Sequence, residues 1–328
     1  MQLPSFEHLE PRSLGEALEL LASHGEQARP IAGGTELLVS MKHGLVEPAY
    51  VVNLKEIPGL DLVAEDAEGL LIGGLTRLGD LVRSPVVRDR FPILAEAAAA
   101  VAAPPLQEMG TVAGNLCQNT RCFYYNQSRF WRRVRGACYK TGGDRCHVVE
   151  GGDRCFATYQ GDLAPALIAL GATVILARQD GARTVPLEEL YTGKGKRPLG
   201  LEKGEILTEV RVPAFVSGAG GSYQKLRQRG AMDYPLVGVA ATVVKNGSEV
   251  CAWARVALTG VGRGPLVVQA ANDLLKDQSL DDGLISQVAD AAYELARPVN
   301  NVGSDASYRR KMVRTLTKRA LAEAWRGE

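Results

Sequence analysis

The sequence predicts an α+β protein, two α/β units followed by an antiparallel sheet that carries helices. Three observations lead there. From the N-terminus to about residue 216, strand-like and helix-like runs alternate and are separated by glycine turns. Beyond that point the apolar residues fall first at strand spacing and then at helical spacing. Within the first pattern lies an irregular stretch holding five of the six cysteines, Cys117, Cys122, Cys138, Cys146 and Cys155, which matches no helix or strand period.

At 328 residues the chain is long enough for two or three domains, each with its own core. Hydrophobic content of 46% and charged content of 23% argue against disorder. The net charge of +1 supplies no overall field for nucleic acid or an anionic membrane, so any electrostatic recognition is local. No basic start followed by an apolar run opens the chain, and the apolar run 163–177, read as a buried helix and a strand, is too short to span a bilayer. A cytoplasmic, reducing setting is expected, where clustered cysteines serve as metal ligands or redox groups rather than disulfides.

Taken in order, residues 13–24 (SLGEALELLASH) form a helix behind Ser13, with Glu16 at the capping-box position. A short strand, 29–32, breaks at Gly33-Gly34 and runs into a helix start at Thr35-Glu36-Leu37. Such a turn lets backbone N–H groups converge on an anion. A β-rich run at 50–54 ends at Pro58-Gly59, and a second glycine pair, Gly73-Gly74, repeats the same logic. An Ala-rich helix over 92–103 is ended by Pro104-Pro105 before a third tight turn, Gly110-Thr111-Val112-Ala113-Gly114-Asn115. After the cysteine stretch come a helix from 163 to 170 led by Asp162 and strands at 172–177, around 183–186, and 204–213. Residues 216–221 (VSGAGG) read as a linker. Strands at 223–226, 237–244 and 250–258, two of them joined by a hairpin turn at 245–248, precede helices at 269–275, 284–296 and 307–324. The expected units are 1–57, 58–216 with an insertion at about 117–158, and 217–328.

In the family's order, Ala32-Gly33-Gly34-Thr35-Glu36-Leu37, the turn 110–115, the Gly161-Asp162 helix, Glu205-Ile206-Leu207 and Tyr223-Gln224-Lys225-Leu226 resemble the FAD-binding medium subunit of the molybdenum hydroxylase or xanthine dehydrogenase family. The resemblance spans essentially the whole chain. It implies an FAD-binding fold of the vanillyl-alcohol oxidase type in two α/β subdomains, plus the C-terminal sheet. It also implies site residues. Ile31, Ala32, Gly33, Gly34, Thr35, Glu36 and Leu37, with Gly110, Thr111, Gly114 and Asn115, would wrap the FAD pyrophosphate. Asp162 would lie at the nucleotide portion, Leu207 at the isoalloxazine and Lys225 near the flavin edge. Without the resemblance, Asp162 reads as a helix cap, Leu207 as core and Lys225 as a solvated charge. The chain departs from the family pattern at Ala113, where a glycine is usual, and in the distance from Asn115 to Asp162, which is 47 positions here and far shorter in most members.

That extra length is the cysteine stretch. Cys122, Cys138, Cys146 and Cys155 are spaced C-x15-C-x7-C-x8-C, without the short Cys knuckle of structural zinc sites. Spacing alone leaves iron–sulfur, zinc and unliganded thiols open. The resemblance extends to a family member whose insertion holds a 4Fe-4S cluster, which implies those four cysteines as its ligands. Cys117 is left out as a buried thiol, Cys251 as core, and His147 as superfluous. Arg121, Arg129, Arg132, Arg133, Arg135, Lys140, Arg145 and Arg154 also fall in the insertion, interleaved with aromatic residues. Each reads as solvated. Together they admit either docking of an acidic ferredoxin as electron donor or stacking on RNA. By resemblance the partners are a molybdenum-cofactor subunit and a 2Fe-2S subunit in a hetero-oligomer, a dimer of heterotrimers, with no nucleic acid and no membrane. FAD is then an electron relay, and no catalytic acid–base residue is expected in this chain.

Overall fold

The computed structural model describes residues 2–214, 219–247 and 249–327. Its strands form three sheets. The first is parallel, with β1 (Glu7–Leu9), β2 (Ala28–Ile31) and β3 (Tyr50–Asn53) in the order β1-β3-β2. The helix Leu14–His24 packs on it through Ala17, Leu18 and Leu21. Ser13 caps this helix by accepting from the Glu16 amide, while the Glu16 carboxylate reaches the Arg12 amide rather than that of Ser13.

The second sheet is antiparallel throughout, with β4 (Val63–Asp66), β5 (Gly69–Gly73), β6 (Thr173–Arg178), β7 (Gly181–Pro186) and β8 (Ile206–Pro213) in the order β4-β5-β8-β6-β7. The third, also antiparallel, holds β9 (Ala219–Leu226), β10 (Val237–Lys245), β11 (Cys251–Thr259) and β12 (Leu266–Val267) in the order β12-β11-β10-β9. Successive side chains of β10 point to opposite faces, and both faces are covered. Val237, Val239, Ala241 and Val243 meet the helices Asp282–Leu295 and Ala306–Arg326, whereas Ala240 belongs to the central core with the helix Leu163–Ala169. Every residue of that central helix is buried.

Three local expectations are corrected. The Ala-rich helix stops at Ala99, where the Gln107 amide donates to the carbonyls of Ala99 and Val101 at 3.1 and 2.7 Å, and Pro104 starts a new helical turn, Pro104–Gln107, instead of ending one. The cysteine stretch does contain a helix, Arg129–Arg135, capped by Ser128. The linker at 216–221 lies partly outside the described residues, and its described part is strand. A Cβ on Gly220 would stand 2.0 Å from the Ala324 carbonyl oxygen, so this glycine admits the last helix against β9. Among the described residues no helix is long and apolar enough to cross a membrane.

Candidate flavin groove and cysteine pocket

The first glycine turn and the third are built against each other. A Cβ on Gly33 would fall 1.7 Å from the Met109 carbonyl oxygen, next to Gly110, so only glycine lets the two segments meet. Gly34 takes φ 72°, which favours glycine. The third segment is the entry to a short helix, Val112–Leu116, rather than a free turn; Thr111 accepts from the Gly114 amide at 3.2 Å. Ala113 sits inside that helix, so its side chain meets no conformational penalty there. The second glycine pair lines neither cavity described below. Gly74 instead packs under the Leu207 carbonyl and beside Ala113.

Two cavities open on either side of this paired wall. One, about 420 Å³, is lined by Gly110, Asn115 and Asp162 with Arg121, Gln118 and Tyr234. The other, about 540 Å³, is lined by residues 31–37, by Leu207, and by Cys117, Asn119 and residues 196–199. Thr35, Glu36, Thr111 and Gly114 belong to both. The arrangement is a long groove with two lobes and a waist of small residues.

Asp162 holds the N-cap position of its helix, but its side chain makes no capping hydrogen bond. Its carboxylate accepts from Tyr223 Oη at 2.7 Å and pairs with Lys225 Nζ at 3.0 Å, while Asn115 Oδ1 accepts the Leu163 amide at 3.2 Å. Burial raises the Asp162 carboxyl and lowers the Lys225 ammonium, and their contact works against both shifts. Lys225 also donates to the Ala100 carbonyl and lines neither lobe, so it stands with Asp162 and away from Leu207. On the Leu207 side, Glu205 is buried and accepts from Arg183 Nε at 2.6 Å and the Glu202 amide at 2.7 Å.

The insertion folds over the waist. Cys122, Cys138, Cys146 and Cys155 all face one pocket walled by Tyr124, Tyr125 and Val148. Each sulfur lies near a donor from its own turn: the Tyr125 amide 3.4 Å from Cys122, Thr141 Oγ1 3.5 Å from Cys138, the Val149 amide 3.4 Å from Cys146, and the Ala157 amide at Cys155. Burial pushes the Cys122 thiol up to about 11. The open space is about 10 Å³, and among the described residues no group of three His, Cys, Asp or Glu is spaced to hold a metal ion. Lys140 lines the same pocket, lowered to about 8 by burial. His147 stacks on Tyr124. Cys251 is core, and Cys117 opens onto the larger lobe, its thiol raised to about 12 by burial.

The expectation that the insertion's arginines are solvated fails at two of them. Arg121 is buried and ion-pairs with Glu36 of the first turn while donating to Ser40 Oγ at 2.9 Å. Arg132 is buried and donates to the carbonyls of His43 and Gly44 at 2.9 and 3.0 Å, just past the helix Leu37–Lys42. The sequence signal for Arg121 was its place beside Cys122; nothing in the pattern marked Arg132. Tyr124 and Tyr125 are buried, so they present no face for RNA stacking.

Residues 4–215 match the FAD binding domain in molybdopterin dehydrogenase, and residues 221–324 the CO dehydrogenase flavoprotein C-terminal domain. The chain is a FAD-binding medium subunit of the molybdenum hydroxylase family. Within that family it is 32% identical to the carbon monoxide dehydrogenase medium chain of Hydrogenophaga pseudoflava over 98% of each chain. It is 33% identical to the aldehyde oxidoreductase FAD-binding subunit of Escherichia coli, covering 90% of this chain and 91% of that one. The solved structure of carbon monoxide dehydrogenase from Hydrogenophaga pseudoflava superposes with a TM-score of 0.82 at 30% identity over 99% of both chains. The chain is thus an oxidoreductase subunit that binds FAD, and its fold is the family's.

Proposed function

We propose that this chain is the electron-transfer subunit of a 4-hydroxybenzoyl-CoA reductase-type enzyme. Residues 31–37 with Gly110, Thr111, Gly114 and Asn115 would hold the pyrophosphate of FAD at the waist of the two-lobed groove. Leu207 would stand at the isoalloxazine, and Asp162, held by Lys225, at the nucleotide portion. Cys122, Cys138, Cys146 and Cys155 hold a 4Fe-4S cluster.

The observation that carries the reading is the pocket itself. Four thiols from four separate turns face one space, each with a hydrogen-bond donor at its sulfur, as cluster-binding loops require. Their sequence spacing lacks the short Cys knuckle of structural zinc sites. A cluster would need more room than the 10 Å³ now open, and the half-buried residues Cys146 and His147 at the pocket would have to give way to it. Bound FAD and cluster supply one- and two-electron chemistry, and this chain's residues position them. The exposed basic helix Arg129–Arg135, with Phe130 and Val134 outward, suits an acidic ferredoxin as donor.

Electrons then pass to 2Fe-2S and molybdenum subunits in a dimer of heterotrimers, set in the cytoplasm. There two electrons and two protons replace the phenolic C–OH of 4-hydroxybenzoyl-CoA by C–H and release water as benzoyl-CoA forms. Anaerobic purification with the partner chains tests the reading. Equal iron and acid-labile sulfide in this chain, FAD, and benzoyl-CoA formation from a low-potential reductant are expected; flavin with zinc and no iron points instead to a molybdenum hydroxylase with a zinc-stabilised insertion.

A further inference from the structure

We propose that Lys140 couples the cysteine pocket to the flavin lobe, its ammonium offsetting the thiolate charge on one side and tethering the loop 192–200 on the other. The inference rests on the cluster reading above. Lys140 Nζ donates to the Gly195 carbonyl at 2.6 Å and to Thr120 Oγ1 at 2.7 Å, and Thr120 Oγ1 itself donates to Gly195 at 2.7 Å. It lies over the Tyr125 ring, 5.1 Å from the centroid. These partners are neutral. Of the other cations nearby, Arg121 is committed to Glu36, and Arg145 sits at the pocket rim exposed to water. Lys140 is therefore a half-buried positive charge facing the thiols that no carboxylate among its hydrogen-bond partners balances, and a partly desolvated ion is stabilised by a counter-charge.

The loop it holds belongs to both sites. A Cβ on Gly195 would lie 2.6 Å from the Cys155 carbonyl oxygen and 3.0 Å from the Ala157 amide nitrogen, so this backbone rests directly on the fourth cysteine. The next residues, Lys196, Arg197, Pro198 and Leu199, line the lobe that also holds Leu207. One loop thus separates the two groups. Reducing the cluster adds one electron, here from dithionite, to a centre already negative. A cation beside it favours the reduced form.

The test compares full-length chains carrying Lys140→Met or Lys140→Arg with the wild type, all purified anaerobically. Iron and FAD are assayed, the cluster midpoint is followed by electron paramagnetic resonance during a dithionite titration, and amide exchange is measured over 192–200. Lys140→Met should keep FAD, shift the midpoint to lower potential and speed exchange in the loop; Lys140→Arg should restore both toward wild type. Iron lost from Lys140→Met and kept in Lys140→Arg also supports the charge. An unchanged midpoint in an iron-replete Lys140→Met chain, unchanged exchange, or iron lost from both variants overturns the proposal. A wild-type chain without iron sinks the cluster reading itself, which separates the two failures.

Discussion

At Gly33 a single methyl group would overlap the Met109 carbonyl, so Gly33→Ala must spread the two segments that form the waist of the groove. FAD affinity is expected to fall about tenfold or more, on the order of 1.4 kcal/mol, by equilibrium fluorescence titration. Glu205 illustrates a different constraint. The Arg183 guanidinium beside it holds its carboxyl below the ordinary carboxylate range. A group depressed on folding contributes stability that is present above its unfolded pKa and lost as pH falls through the folded one. The chain should therefore weaken below about pH 4.5 as Glu205 takes up its proton. Arg183→Met removes that protection, and because Arg183 is 40% exposed the loss at neutral pH is expected to be about 1–2 kcal/mol. Denaturant melts at pH 7 and pH 4 check it: the difference between variant and wild type should shrink in acid.

Among the elements, the helix Leu37–Lys42 is too short to be stable alone and depends on what holds its ends. Glu36 before it is tied to Arg121, and the carbonyls after it accept from Arg132. Both arginines come from the cysteine stretch, so a segment between Asn115 and Asp162 braces the helix that follows the first glycine turn. Arg132→Met leaves the His43 and Gly44 carbonyls without that donor, and hydrogen bonds to a charged group are worth about 1.5–3 kcal/mol. Faster amide exchange across residues 37–44, with the third sheet unaffected, is the expected result. Exchange unchanged in that helix would show that the brace is dispensable.

For the whole molecule, the fold is shared end to end with a solved relative, the match covering 99% of both chains, and the four thiols of the pocket lie on one segment of it. Cys138→Ser should accordingly abolish iron incorporation and leave FAD bound, with melting temperature little changed; full iron content in the variant would remove Cys138 from the ligand set. Much of the fold was legible because its signals are local. Ser13 with its helix, the strands at 237–244 and 250–258 and the glycine turns each declare themselves by spacing. The short edge strand β12 and the helix Arg129–Arg135 did not: a two-residue strand has no period, and a helix that buries an arginine, Arg132, while exposing Phe130 and Val134 carries no ordinary amphipathic stripe.

The sequence by itself determined the element types, the family and the candidate cofactor residues, because backbone propensity, glycine requirements and motif order are written along the chain. Tertiary structure alone decided which of these residues meet. It paired Asp162 with Lys225, converted Arg121 and Arg132 from solvated charges into braces, turned the glycines at 220–221 from linker into contact, and tied Lys140 beside the thiols to the Gly195 carbonyl. The reason is range: burial and ion pairing depend on neighbours many residues away, and no local pattern encodes them.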